Sequence, residues 1–334
     1  YLGSPHLAVS LKHDSQHLLR MASRDVAVGL IFLSQTVLGI LGNFSFLYRH
    51  VIVHFRGCRL KSPDLILRHL IVANTLTLLS GGIPHTMAAF GLRHFPSDLG
   101  CQLVFYVHRV ARGMSFGAMC LLSILQAVMI SPGSSKWRNL KAKVPKFTGL
   151  SLYLCWTSHL LVNTVVFTYV TGRWSSVNVT RQKDLGYCST TILHKVTSTL
   201  FAVFLSPPSI LSFGLMVLAS GYMVFALYRH NQRVRHIHST SHSTRSSPEI
   251  KASQKVLALL CAFLLLYIPC TVLVTYQVTS REPSWWLINI TGLLHSCFPT
   301  ASPFLLLSPH TSVARLCSAC SRRNTRVHNL VRKP

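Results

Sequence analysis

Four side chains in one short stretch could recognise a small molecule: Tyr106, His108, Arg109 and Arg112. A phenol, an imidazole and two guanidinium groups offer hydrogen bonds and positive charge. The stretch that holds them, Cys101 to Pro132, contains no acid to neutralise them. His108 and Arg112 are four residues apart, so on a helix they share a face. That face is a candidate ligand wall, where an arginine would attract an anionic or carbonyl-bearing molecule. The alternative is an arginine that snorkels to lipid headgroups or bonds neighbouring carbonyls. His85, His159 and Asn163 are weaker candidates, better suited to hydrogen bonds between helices.

Other chemistry is hard to find. The chain has no Gly-x-x-x-x-Gly-Lys phosphate loop, no His-Glu-x-x-His and no pair of intramembrane acids for proton work, so an enzyme is not expected. No cofactor or metal is expected either. Cys317 and Cys320 form a lone Cys-x-x-Cys, short of a zinc set; beside basic residues they fit S-palmitoylation or free thiols. His236, His238 and His242 fall in a Ser/Thr/His-rich linker.

The elements that must position these groups are membrane helices. Between Cys101 and Ser131-Pro132 lie about thirty mostly apolar residues, and about twenty at ~1.5 Å each cross a hydrocarbon core. We expect this segment to be the central helix of a bundle. Of the 334 residues, 49% are hydrophobic and only 12% charged, with a mean hydropathy of +0.40. Soluble domains carry about twice that charge. Apolar segments can be marked at about 26–48, 66–90, 101–130, 147–170, 196–228, 255–278 and 285–307. The fold expected is an all-α membrane protein, a seven-transmembrane helix bundle. Pro84, Pro207-Pro208, Pro269, Pro299 and Pro303 fall inside the segments, where they kink helices.

The formal net charge of +26 would suit nucleic acid if it were gathered on one domain, but it is sorted by membrane side. The connections 49–63, 131–146, 229–254 and 308–334 hold 20 basic residues, and the alternate set 1–25, 91–100, 171–191 and 279–284 holds 8. The first set is therefore expected in the cytoplasm, with the N-terminus outside, the C-terminus cytoplasmic and membrane lipid as the basic loops' ordinary partner. The organisation expected is an extracellular segment 1–25, a seven-span domain 26–307 and a basic tail 308–334. Residues 1–20 lack the apolar core of a signal peptide, and Met21 is a candidate start. Only Cys101 and Cys188 fall on the oxidising side, so a disulfide between them is expected. Of three Asn-x-Ser/Thr sequons, those at Asn43 and Asn289 lie in the membrane; Asn178 shares the outer loop of Cys188 and is the expected glycosylation site.

The runs DLILRHLIVANTL (64–76), GIPHTMAAFGLRHF (82–95), LVFYVHRVARGMSFG (103–117), CLLSILQAVMISP (120–132), DLGYCS (184–189) and FPTASPF (298–304) resemble the vomeronasal type-1 receptor family of pheromone receptors. The resemblance covers about 21–308. It implies a plasma-membrane, G-protein-coupled receptor with a small-molecule chemosignal as ligand and a heterotrimeric G protein, of the inhibitory class, as partner. The chain departs from the wider rhodopsin-like pattern: Leu125-Gln126-Ala127 stands near the place of Asp-Arg-Tyr, Ser302-Pro303 replaces Asn-Pro, and Asn74 takes the place of a buried acid. A transporter would show repeated halves and buried acids, and neither is present. The quoted runs also argue against a bitter-taste-type receptor.

Overall fold

The computed structural model describes residues 5–55, 62–92, 97–131, 135–171, 182–184, 188–191, 211, 213–229, 248–280 and 284–307. Helix α1 is Pro5–Phe55. Helix α2 runs Ser62–Ala89 in three parts, with a π-helical turn at Leu78–Gly82 between Ser62–Thr77 and Ile83–Ala89. Helix α3 is Asp98–Ile130, and α4 is Ser135–Val162, continued through a short 3-10 turn to Val166–Tyr169. Then come α5 (Phe213–Arg229), α6 (Pro248–Thr279) and α7 (Trp285–Leu307).

Among the described residues, five helices are long and apolar enough to cross a membrane: Ser23–Ile52 within α1, then α2, α3, Ser253–Gln277 within α6, and α7. Two of the expected segments look different. α4 opens with Lys136, Arg138, Lys141, Lys143 and Lys146, so its apolar character is confined to its second half. α5 is apolar over a shorter length, and Pro207-Pro208 lies outside the described residues.

The all-α expectation needs one correction. Strands Val170–Thr171 (β1), Gln182–Asp184 (β2) and Ser189–Thr191 (β3) form a small antiparallel sheet in the order β1-β3-β2. Thr190 of β3 pairs with Val170 on one side and Lys183 on the other. Strands form here because the loop lies beyond α4 and outside the bundle, where backbone groups need partners and no helix supplies them.

α3 is the central helix, as expected. It packs against α2, α4, α6 and β1. Its start is set by Ser97, whose hydroxyl accepts the N–H of Gly100 at 3.2 Å, and Asp98 complements the helix dipole. It stops at Ser131, which is extended (φ −61°, ψ 147°) because the next residue is Pro132. Its buried face, with Met114, Phe116, Met119, Leu122 and Leu125, joins Leu70 and Ile71 of α2, Leu259 and Leu260 of α6 and Phe298 of α7 in one core.

Polar groups tie the helices where proline and glycine allow it. In α7, residue 303 is proline, so the Pro299 carbonyl has no backbone N–H four residues on. Asn43 of α1 supplies one: its Nδ2 donates to Pro299 O at 3.0 Å and to Gly39 O at 2.6 Å. In α2, the Pro84 ring crowds the Ser80 carbonyl, and the helix widens into its π turn just before it. In α3, Gly113 and Gly117 let α4 approach closely. A Cβ at Gly117 would overlap Cys155 Sγ, and one at Gly113 would lie 2.9 Å from His159 Cγ.

Candidate ligand site

The N-terminal end of α3 is held by a disulfide. Cys101 and Cys188 are bonded, with Cα atoms 5.9 Å apart, and both are fully buried. The bridge fastens the sheet's β3 side to the first turn of α3. Gln102 Nε2 adds a bond to Val170 O at 3.1 Å.

Below this staple the four candidate side chains divide by helix face. Tyr106 and Arg109 turn toward α4. Tyr106 donates from its hydroxyl to Leu160 O at 2.9 Å and packs on Phe167. Arg109 Nε donates to Asn163 Oδ1 at 3.0 Å, and Asn163 Nδ2 donates to His159 O. The weaker candidates Asn163 and His159 thus hold α3 to α4. Neither Tyr106 nor Arg109 reaches the cavity described next.

His108 and Arg112 turn the other way, as their four-residue spacing demands. His108 meets His295 of α7 edge to face, with ring centroids 5.5 Å apart, and its Nδ1 lies 3.5 Å from Ser80 Oγ. Gly81, in the π turn, makes room for it: a Cβ there would lie 2.9 Å from His108 Cε1. The Arg112 guanidinium carbon stands 5.1 Å from the Tyr267 ring centroid, a cation–π contact with α6. His85 is turned to α1, where it stacks on Phe32 at 4.9 Å between centroids.

Arg112 lines a cavity of about 40 Å³ between α2, α3, α6 and α7, room for a few water molecules. Asn74, Tyr267, His295 and Phe298 are among the other residues in its wall, and no lining residue is a carboxylic acid. The chemistry offered is therefore a cation, amide and imidazole groups on one side and aromatic surface on the other. Asn74 is fully buried; its Oδ1 accepts from Ser115 Oγ at 2.9 Å and its Nδ2 donates to Ser302 Oγ at 2.8 Å. It links α2, α3 and α7 at the cavity's edge. Phe116, Phe263, Tyr267 and Phe298 stack as an aromatic cluster beside it.

Sequence reasoning did not assign His295, Tyr267 or Asn74 to the site: they lie far apart in the chain, and only packing brings them to Arg112. Asn178, Cys317 and Cys320 lie outside the described residues. Among the described residues no group of three His, Cys, Asp or Glu could hold a metal ion.

Comparison with known proteins agrees with the geometry. Residues 26–319 match the model of the vomeronasal organ pheromone receptor family. The chain is similar to the human vomeronasal type-1 receptor 2, 46% identical over 301 residues, covering 90% of this chain and 76% of that protein. It is 48% identical over 302 residues to the human vomeronasal type-1 receptor 4, covering 90% of this chain and all of the relative. A more distant relative, the olfactory receptor class A-like protein 1 of Danio rerio, is 28% identical over 88% of this chain and 93% of its own. Its apolar helices, the Cys101–Cys188 disulfide and its matching relatives place the chain in the vomeronasal organ pheromone receptor family: a multi-pass plasma-membrane receptor of the G-protein-coupled type, not an enzyme.

Proposed function

We propose that this receptor binds a small chemosignal in the cavity beside Arg112 and passes the event to an inhibitory-class heterotrimeric G protein. The bundle crosses the membrane seven times, with 1–25 outside, 26–307 as the receptor domain and 308–334 as a cytoplasmic tail. Asn178 carries the outer sugar, and Cys317 and Cys320 are the palmitoylation sites of the tail. Cytoplasmic basic loops meet the acidic surfaces of lipid and partner.

One observation carries the ligand reading: Arg112 faces a cavity whose lining has no acid to neutralise it. A half-buried guanidinium whose cavity offers no carboxylate is costly, and a ligand bearing negative charge or a carbonyl offsets that cost on binding. His108 stands one turn above on the same face; it does not line the cavity but packs against His295, which does, whereas Tyr106 and Arg109 shape the site from behind through α4. An agonist acts by favouring one arrangement of the helices over another, to the extent that it binds the two unequally.

The test is expression with a chimeric G protein and a calcium readout against a panel of small volatile and steroid-like compounds. Arg112→Ala at matched surface expression should shift the dose curve of any agonist found. An unchanged curve would remove Arg112 from the site. Ligand-dependent current or uptake in the absence of G protein would favour a transporter.

A further inference from the structure

The cavity wall contains a polar atom that the helices do not use. His295 Nε2 is buried and has no hydrogen-bond partner among the described residues. One turn away on α7, Thr291 Oγ1 is in the same condition. The neighbouring polar groups are committed: Asn74 is bonded at both ends of its amide, and Arg112 lies over Tyr267. In a membrane interior an unpaired ring nitrogen costs free energy that a group from outside the chain can return.

We propose that His295 is the second recognition point of the cavity, and that Arg112 and His295 together grip the oxyanion head of the ligand. This rests on the cavity being the ligand site. With its hydrogen on Nε2 the imidazole is a donor, and Arg112 supplies further donors in a planar fork. Two donors on different helices suit a carboxylate, sulfonate or sulfate monoester, whose oxygens diverge from one centre. The same pair discriminates against a cation, which would meet a guanidinium with no acid in the cavity lining, and against a ligand with no acceptor oxygen, which would leave His295 unpaired. The cavity as it stands holds a few waters, so the walls formed by Tyr267, Phe263 and Phe298 move apart to receive the apolar remainder of the molecule. A ligand held this way ties α3 to α7, which the Asn43 and Asn74 amides already hold near its prolines.

Cys270 lines the same cavity and provides the handle for a test that needs no known agonist. In intact cells its thiolate displaces methanesulfinate from a methanethiosulfonate reagent and forms a mixed disulfide. The probes are the anionic 2-sulfonatoethyl reagent and the neutral methyl reagent, with Cys270→Ser defining the background. The anionic-to-neutral rate ratio, corrected for intrinsic reactivity with a free thiol, should fall about five- to tenfold in His295→Phe, the size of a lost charge-assisted hydrogen bond. His295→Gln, which keeps a donor, should restore it. If Arg112→Gln lowers the ratio and His295→Phe does not, His295 has no such role and the cavity reading stands. If His295→Phe slows both reagents equally, the ring is structural and the proposal is overturned. If Cys270 is labelled by neither reagent, the cavity is not reached from outside and both readings fall.

Discussion

Replacing Asn43 by alanine tests how α7 is held at its two prolines. Asn43 is fully buried, and its Nδ2 reaches Pro299 O at 3.0 Å across the α1–α7 boundary. An unbroken helix would satisfy that carbonyl with the N–H of residue 303, which proline lacks. The side chain therefore stands in for a backbone donor. Stranding a buried carbonyl costs about 1–3 kcal/mol, although hydrogen bonds within membrane bundles average nearer ~0.6 kcal/mol. Asn43 Oδ1 has no partner among the described residues, so deleting the amide also removes a small existing cost. A net loss of about 1–2 kcal/mol is expected from these terms. The sharper quantity is the coupling to Pro303. Pro303→Ala restores an N–H in reach of Pro299 O, so Asn43→Ala should cost at least about 0.5 kcal/mol less in that background. The assay is equilibrium unfolding of the purified receptor in mixed micelles by SDS titration, for the parent, the two single variants and the double variant. Equal costs in both backgrounds would refute the idea that the Asn43 amide replaces the missing N–H.

Other perturbations follow from the same contacts. Gly117→Ala puts a methyl onto Cys155 Sγ and should destabilise the α3–α4 pair by about 1–3 kcal/mol, with Cys155→Ala recovering most of it; additive losses would show that the close approach is not there. Cys188→Ser opens a bridge that spans 87 residues, worth up to about 4.6 kcal/mol on loop-length grounds, and should reduce surface expression measured by flow cytometry. Tyr106→Phe removes one bond to Leu160 O and should lower the thermal midpoint in detergent by no more than a few degrees while leaving agonist potency within about twofold, since the phenol faces α4 and not the cavity. A potency loss of about tenfold or more in that variant would return Tyr106 to the ligand wall.

Much of this was legible in the chain, and the exceptions have physical causes. The position of α3 could be read because its apolar run is long and lies between Cys101 and Pro132; its first turn, from Asp98 behind the Ser97 cap, lies outside the expected segment. The Cys101–Cys188 bridge could be read because membrane sidedness left those two cysteines as partners. The shared face of His108 and Arg112 followed from helical spacing, and the helices they touch are those across from α4. Arg109, by contrast, looked equivalent to Arg112; only the packing of α4 gave it Asn163. α4 hid half of its membrane character behind five basic residues, which a window of composition reads as loop. The Asn43–Pro299 bond joins groups 256 residues apart and needs coordinates to be seen. The close approach at Gly113 and Gly117 is not read from the sequence, because nothing local says that Cys155 and His159 fill the space beside them.

The wide turn at Leu78–Gly82 has a consequence for which side chains α2 shows to its neighbours. Such a turn absorbs one extra residue without advancing the spiral, so everything beyond it is rotated by about 100° from where an unbroken α-helix would put it. Counted along a regular wheel, His85 would sit above Asn74 on the side of Arg112; beyond the turn it stacks on Phe32 of α1 instead. A relative that lost a single position between 78 and 82 would therefore show a different row of side chains to the neighbouring helices beyond the turn, while the half before it stayed untouched. Length variation there turns half a helix at once, which a point substitution does not do.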